Sequence, residues 1–273
     1  MGTEYTGDLL KMRVALEAGD ERVRYWLRLR QGEELVELPL TERLGEPVRL
    51  QYTGTIHCSS CGRVTKKSFQ GFCYPCFRDA PEASPCIIRP ELCEAHLGKG
   101  RDPAWEAEHH NRPHLVYLAL TSAVKVGVTR DDQIPTRWIG QGAWRAIVLA
   151  ETPQRQLAGR IEVACKDHVT DKTPWQRMLK DERATDVDLV ARKADLVARL
   201  PPELQVYASP DNEIREIPYP VTEPPKKVKS QTLDRVPDLQ GRLTGIRGQY
   251  LLLDEGRVFN VRRHTGYEVR VTV

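Results

Sequence analysis

Four cysteines stand in two Cys-x-x-Cys pairs, Cys58 with Cys61 and Cys73 with Cys76. Each pair can turn both sulfurs inward on one tight knuckle. Two facing knuckles make a tetrahedral tetrathiolate, the preferred geometry of structural zinc. Gly62 follows the first pair, Gly71 precedes the second, and the polar, basic stretch 63–70 reads as the hairpin between them. Disulfides, buried free thiols and an iron–sulfur cluster are the competing readings. The first is disfavoured in a chain that opens without an export signal. A zinc held by four protein ligands has no open coordination position, so it staples a small fold and does no catalysis. Cys86, Cys93-x-x-His96 and the paired His109-His110 follow. Cys86, Cys93, His96 and His110 form a candidate second tetrahedral set, with His110 chosen over His109 because it lies nearer the strand that follows. Two buried thiols with surface histidines are the alternative. Cys165 stands alone and reads as a core thiol.

These residues sit in a chain of 273 residues, 40% hydrophobic and 29% charged, enough for about two domains. No cationic segment followed by an apolar run opens the chain, and no stretch approaches the roughly 18 apolar residues of a membrane span. Met1-Gly2 begins a formal myristoylation pattern, which is short and common. A cytoplasmic location and no membrane partner are the expectations. The net charge is only +3, but residues 225–273 carry ten Lys/Arg against five Asp/Glu. A basic C-terminal module suggests an anionic partner.

The elements that must position the candidate residues follow from periodicity. Residues 12–56 alternate as strands, with turns at Gly19-Asp20 and Gly32-Glu33. His114 to Leu120 and Val124 to Thr129 read as two strands, the second with Gly127 inside it. Pro135 opens a short helix carrying Arg137 and Trp138. Ala146 to Ala150 is a third strand. Thr152 as N-cap and Pro153 at the first position open a longer helix with Glu162 at the margin of its apolar face. Thr173-Pro174-Trp175-Gln176 reads as a capping box, and Asp186 to Leu200 as an amphipathic helix. Pro218 to Ser230 reads as a linker, and glycine-punctuated strands beyond it as a small β barrel or sandwich. The expected fold is α+β. It comprises an N-terminal β module (1–56), a zinc ribbon or knuckle segment (57–112), a central α/β domain (113–200), a linker (201–232) and a small C-terminal β barrel (233–273).

The strand–strand–helix–strand–helix order across 114–170 resembles the GIY-YIG nuclease superfamily over about 60 residues. Val116-Tyr117-Leu118 occupies the place of the first motif and Lys125-Val126-Gly127 that of the second. The resemblance implies a helix arginine, matched by Arg137, and a glutamate that binds a divalent ion, matched by Glu162. It implies that Tyr117 polarises or deprotonates a water, that Mg²⁺ or Mn²⁺ at Glu162 stabilises the leaving oxygen, and that Arg137 neutralises phosphoryl charge. Two departures stand out. Lys125 replaces the tyrosine that opens the second motif, and Arg137 lies about two positions later than the pattern has it. Lys125 would take part in proton transfer or contact a phosphate. As structural alternatives, Tyr117 is a core tyrosine, Arg137 and Glu162 are an ion pair, and Lys125 is a solvent-facing strand residue. The chain also resembles an uncharacterised bacterial family with a domain of unknown function. It shares the cysteine pairs, Lys125 to Arg130, Arg137-Trp138, Asp171-Lys172-Thr173 with Trp175, and Gly248 to Tyr250.

Three functions compete: a metal-dependent endonuclease, a non-catalytic nucleic-acid-binding protein on a degenerate nuclease fold, and a zinc-stabilised protein adaptor. The first two expect nucleic acid as partner, with Lys66, Lys67, Arg130 and Trp138 as contacts and one or two structural zinc ions as cofactor. Phe69, Phe72, Tyr74, Phe77 and Trp144 are aromatics that stack on bases in this reading, or that form the small cores of their modules.

Overall fold

The computed structural model describes residues 3–170, 172 and 174–273. In chain order the first strands are β1 (Glu4–Ala15), β2 (Arg24–Gln31), β3 (Glu34–Pro39) and β4 (Pro47–Ile56), followed by helix α1 (Tyr74–Asp79). Next come α2 (Pro103–His109), β5 (His114–Leu120), β6 (Val124–Arg130), α3 (Thr136–Gly140) and β7 (Arg145–Thr152). Helices α4 (Arg155–Lys166), α5 (Trp175–Leu179), α6 (Leu189–Arg199) and α7 (Pro202–Gln205) then lead to β8 (Arg215–Glu216). The chain ends with β9 (Lys229–Gln231), β10 (Asp238–Arg247), β11 (Tyr250–Leu253), β12 (Arg257–Asn260) and β13 (Tyr267–Thr272). The Met1-Gly2 pattern, Asp171 and the Thr173 cap lie outside the described residues.

Two compact units result. One joins residues 1–77 to 218–273, and the other spans 78–217. The first is built on a nine-stranded sheet in the order β3-β2-β1-β13-β4-β10-β11-β12-β9, which is mixed only at its edge, where β12 and β9 run parallel. The expectation of a separate C-terminal barrel is corrected. The sheet has two free edges, and β13 lies between β1 and β4, so N- and C-terminal strands share one sheet. The residues read as a linker contribute α7, β8 and β9, and Val221 bridges Gly245. The period-2 pattern is visible in β2, where Tyr25, Leu27 and Leu29 are buried on one face. Each such leucine contributes about 1.5–3 kcal/mol by leaving water.

The second unit carries a four-stranded antiparallel sheet, β6-β5-β7-β8, with β5 central. Alternation along β5 sorts its side chains. Val116, Leu118 and Leu120 join Val126 in a core with Ala158, Ile161 and Cys165 of α4 and Leu189 and Leu196 of α6. Burial pushes the Cys165 thiol up to about 11, as suits an inert core residue. Tyr117 lies directly across from Gly127, and Ala119 across from Lys125, so these four side-chain positions share the opposite face. Helix α4 begins later than its apparent caps imply. Thr152 ends β7, and its hydroxyl donates to the carbonyls of His114 and Gln154, leaving Gln154 as N-cap. At Asp188 the N-cap is explicit, its carboxylate accepting from the amides of Val190 and Ala191.

Two residues give this unit testable constraints. A Cβ on Gly159 of α4 would sit 2.1 Å from the Glu91 nitrogen, so the helix packs directly on the backbone of the Pro90–Leu92 turn. Gly159→Ala is expected to lower stability by about 1–3 kcal/mol in denaturant titration. His114 is fully buried, its Nδ1–H donates to the Arg112 carbonyl, and burial lowers its pKa to about 4. The unfolded chain therefore binds the proton more readily. The stability that neutral His114 contributes is complete above pH 6.5 and is lost as pH falls towards about 4. Thermal melts of wild type and His114→Leu should differ in slope across that window and run parallel above it.

Candidate functional site

The first candidate centre grows out of the end of β4. His57 bridges Val64, and the Cys58 amide donates to the Arg63 carbonyl, closing the first knuckle with Gly62 at φ 71°. Phe69 bridges Phe72 around Gln70 and Gly71, both at positive φ, and α1 carries Cys76 inward after Cys73. The four sulfurs lie within 4.8 Å of one another. Cys61 Sγ and Cys73 Sγ are 3.8 Å apart. A regular tetrahedron with Zn–S bonds near 2.3 Å has edges of about 3.8 Å. Four cysteines so placed can hold a structural zinc.

Electrostatics at this centre explain why a cation belongs there. Burial raises the Cys58 thiol, but amides of Cys61, Cys73 and Ser60 aimed at its sulfur bring it below the usual thiol value. The Arg63 guanidinium, whose Nε is 3.5 Å from Cys61 Sγ, lowers Cys61 to about 6. Desolvation and the neighbouring thiols push Cys76 up to about 12. Four sulfurs this close cannot all ionise unless a cation neutralises them. The ring of Phe69 stacks on Phe77 at 5.7 Å and meets Tyr74 edge-on at 5.7 Å, so these aromatics form the module's own small core. Lys66 and Lys67 are exposed on the hairpin, with Lys67 Nζ 5.1 Å above the Phe69 ring.

In the second unit Cys86, Cys93 and His110 come together, but His96 does not join them. It is exposed, and Glu106 takes the fourth place. Helix α2, which carries Glu106, lies in a stretch where no helix was expected. His109 instead stacks on Trp105 at 4.1 Å.

The residues expected to do phosphoryl chemistry also gather in this unit. The Tyr117 ring covers Gly127, where a Cβ would lie 2.6 Å from the hydroxyl, and that hydroxyl donates to Gln141 Oε1 at 2.9 Å. Burial raises the Tyr117 pKa, against the lowering pull of Arg137. Tyr117 and Arg155 each feel both Arg137 and Glu162, so the four lie within electrostatic reach of one another. Arg137 Nε is buried and has no hydrogen-bond partner. Glu162 is 8% exposed, with Lys166 Nζ 3.5 Å from its carboxylate. Lys125 is buried, which corrects its reading as a solvent-facing strand residue. Trp138 is corrected as a nucleic-acid contact. It is 3% exposed and packs edge-on against Tyr117, so its ring is committed to the interior. Trp144 is likewise buried, its Nε1–H donating to the Thr121 carbonyl. Arg130 is half-buried beside Asp132 at 3.3 Å. Sequence reasoning missed Arg155, Gln141 and Glu106, which belong to no motif. The one available signal was the i, i+4 spacing of Glu106 and His110 behind Asp102-Pro103, an N-cap followed by proline.

The family model described as "Protein of unknown function (DUF2797)" matches residues 45–269, most of the chain. No curated protein and no solved structure matches it.

The tetrathiolate predicts its own assay. A Cys58→Ser/Cys73→Ser chain should hold one zinc fewer than wild type by mass spectrometry. It should also become sensitive to limited proteolysis within residues 57–77. Equal metal content in the two proteins would remove zinc from this site.

Proposed function

The chain belongs to that family, the DUF2797 proteins of unknown function, and from that premise we propose that it is a zinc-stapled nucleic-acid-binding protein. In this reading residues 114–166 are a GIY-YIG-like domain whose arginines grip a backbone phosphate. One observation carries the reading. Tyr117 of β5, Arg137 of α3 and Arg155 and Glu162 of α4 converge in one unit, and Arg137 keeps a buried Nε–H without a partner. Arg155, whose Nε and Nη2 already donate to the Cys86 and Ile87 carbonyls, adds positive charge, and a phosphodiester oxygen supplies an acceptor for the unpartnered Arg137 Nε–H. The exposed Lys66 and Lys67 on the zinc hairpin add non-specific attraction to a polyanion.

Hydrolysis is the second reading, favoured by the same convergence. In it Glu162 holds Mg²⁺ or Mn²⁺ and Tyr117 activates water. Seclusion of the key groups favours binding over cleavage. The Tyr117 phenol is fully buried with its proton committed to Gln141, and burial makes it a poorer base at neutral pH. The Glu162 carboxylate is nearly buried and already faces Lys166. Lys125 stands where the resemblance expects a second phenol.

The test is a salt series with labelled single- and double-stranded DNA and RNA, run with and without Mg²⁺ or Mn²⁺. Wild type should bind with an affinity that falls steeply as salt rises. Arg137→Ala should weaken binding about 10-fold and reduce the salt slope by about 1. Glu162→Ala should bind at least as tightly, because it removes a like charge facing the phosphate. Absence of binding to every probe at low salt would sink the proposal. Metal-dependent cleavage abolished by Glu162→Ala would replace the binding reading with the hydrolytic one.

A further inference from the structure

Residues 81–102 contain no strand. They run through four single 3₁₀ turns, Pro81–Ala83, Pro85–Ile87, Pro90–Leu92 and Ala95–Leu97. Cys86, Cys93 and Ala95 form the segment's small buried apolar cluster and Pro90 is buried against α4, while Ile87, Ile88, Leu92 and Leu97 are exposed. Beyond that packing on α4, so few buried apolar side chains leave the segment dependent on a cross-link or a metal. We propose that Cys86, Cys93, Glu106 and His110 form a second, closed zinc site, in which Glu106 supplies the fourth ligand. The proposal is independent of the nucleic-acid reading.

The geometry is that of a coordination sphere. One donor atom from each of the four residues lies within 4.8 Å of the others, and all four residues are buried. Cys86 Sγ is 3.7 Å from His110 Nδ1. A tetrahedral zinc with one sulfur and one nitrogen ligand separates them by about 3.6 Å, from Zn–S near 2.3 Å and Zn–N near 2.0–2.1 Å. His110 Nδ1 also meets Glu106 Oε2 in a very short contact. One ring nitrogen carries at most one proton, so it cannot serve a thiol and a carboxylate converging on it together. A shared cation can serve all of them.

Local structure aims each ligand. Asp102 caps α2 by accepting from the amides of Ala104 and Trp105. Glu106 and His110 then fall one turn apart on the same helical face. The Ser84 hydroxyl donates to Glu106 Oε1 at 3.1 Å, leaving Oε2 turned towards the cluster. A Cβ on Gly100 would lie 2.4 Å from Glu106 Cγ, so that glycine leaves room for the carboxylate to turn inward. The competing account is a dry hydrogen-bonded pair with two core thiols. It requires a carboxylate 2% exposed to persist beside an imidazole and one hydroxyl, with no cation to offset its lost hydration.

The donor set selects the ion. Two thiolates and an imidazole favour zinc over magnesium or calcium, which prefer all-oxygen shells. Two thiolates, one carboxylate and Zn²⁺ sum to one negative charge. Arg155 sits beside it, Nε and Nη2 donating to the Cys86 carbonyl at 3.1 and 3.0 Å. Four protein ligands leave no open position, so the ion is structural.

Zinc per chain is counted by mass spectrometry on the reduced full-length protein. Wild type should hold two ions and the Cys86→Ser/Cys93→Ser chain one. Glu106→Ala should lose the second ion to a chelator at about 10-fold lower concentration or less. His96→Ala should keep both. Should the double cysteine variant fail to fold, the wild-type count and Glu106→Ala decide the matter. A zinc count in the reduced protein that Cys86→Ser/Cys93→Ser and Glu106→Ala both leave unchanged overturns the proposal. So does a second ion removed by His96→Ala and indifferent to Glu106→Ala.

Discussion

Strand β13 has to lie between β1 and β4, and the first unit depends on that insertion. Its register runs from Glu4 opposite Thr272 to Asp8 opposite Glu268 on one side, and from Tyr267 opposite Ile56 to Arg49 opposite Thr272 on the other. Until those pairs form, β1 and β4 lack their common neighbour, and the sheet is two fragments with exposed edges. The cysteine hairpin inherits the same constraint. The His57 amide, one residue before Cys58, donates to the carbonyl of Gly266, one residue before β13. Gly266 sits at φ 87°, and a Cβ there would lie 2.1 Å from the His57 oxygen. The four-cysteine cluster is therefore anchored to the far end of the chain. Closing a loop this long costs entropy that grows only slowly with length, which is how a whole unit, residues 78–217, can be accommodated between the two halves of a sheet.

That insertion also marks where sequence reading stopped. Knuckles, turns and strands are written in neighbouring residues. Cys58 with Cys61, the Gly32-Glu33 turn and the run His114–Leu120 were legible because spacing, positive φ and β-propensity act locally. Which strand pairs with which is not written locally. The C-terminal strands look the same from their alternation whether they close on themselves or zip against β1 and β4. The reading of a separate barrel was the simpler one, and it was wrong because β13 meets partners more than 200 residues away. Thr152 misled for a related reason. Thr-Pro at 152–153 has the composition of a helix start, but pairing with His114 keeps Thr152 in the sheet.

The candidate site shows the same division. Tyr117 and Gly127 were legible as a motif, and their pairing has a physical basis: the phenol needs the missing side chain opposite it to lie flat across the sheet. Exposure was not legible. Trp138 reads as a base-stacking residue in a polar stretch, yet its ring fills the space beside Tyr117. Lys125 reads as a proton-transfer or phosphate-contacting group or, alternatively, as a surface strand residue; alternation puts it on the face of Tyr117 and Gly127, where it is buried. Glu106 carries no motif in the sequence, and the helix that presents it was not legible there. Its inward turn depends on Gly100 and Ser84, which no spacing rule connects to it.

Arginine recurs where thiols cluster, and the reason is charge. Four thiolates around one zinc would carry two net negative charges, and such a centre is stable only with donors and cations around it. In the first unit Arg63 reaches Cys61 Sγ, and Arg30 donates to the carbonyls of Cys58 and Ser59 while pairing with Asp8. In the second unit Arg155 holds the carbonyls of Cys86 and Ile87, and its own amide donates to the His110 carbonyl. Arg155 also lies close enough to Arg137 and Glu162 to feel both. One guanidinium thus ties the turn that presents the proposed ligand Cys86 to the proposed phosphate grip. Displacing that turn would move the charge that Arg137 and Glu162 face. A structural ion remote from any reacting atom would then influence anion binding through a single side chain, with no change in the sheet that carries Tyr117.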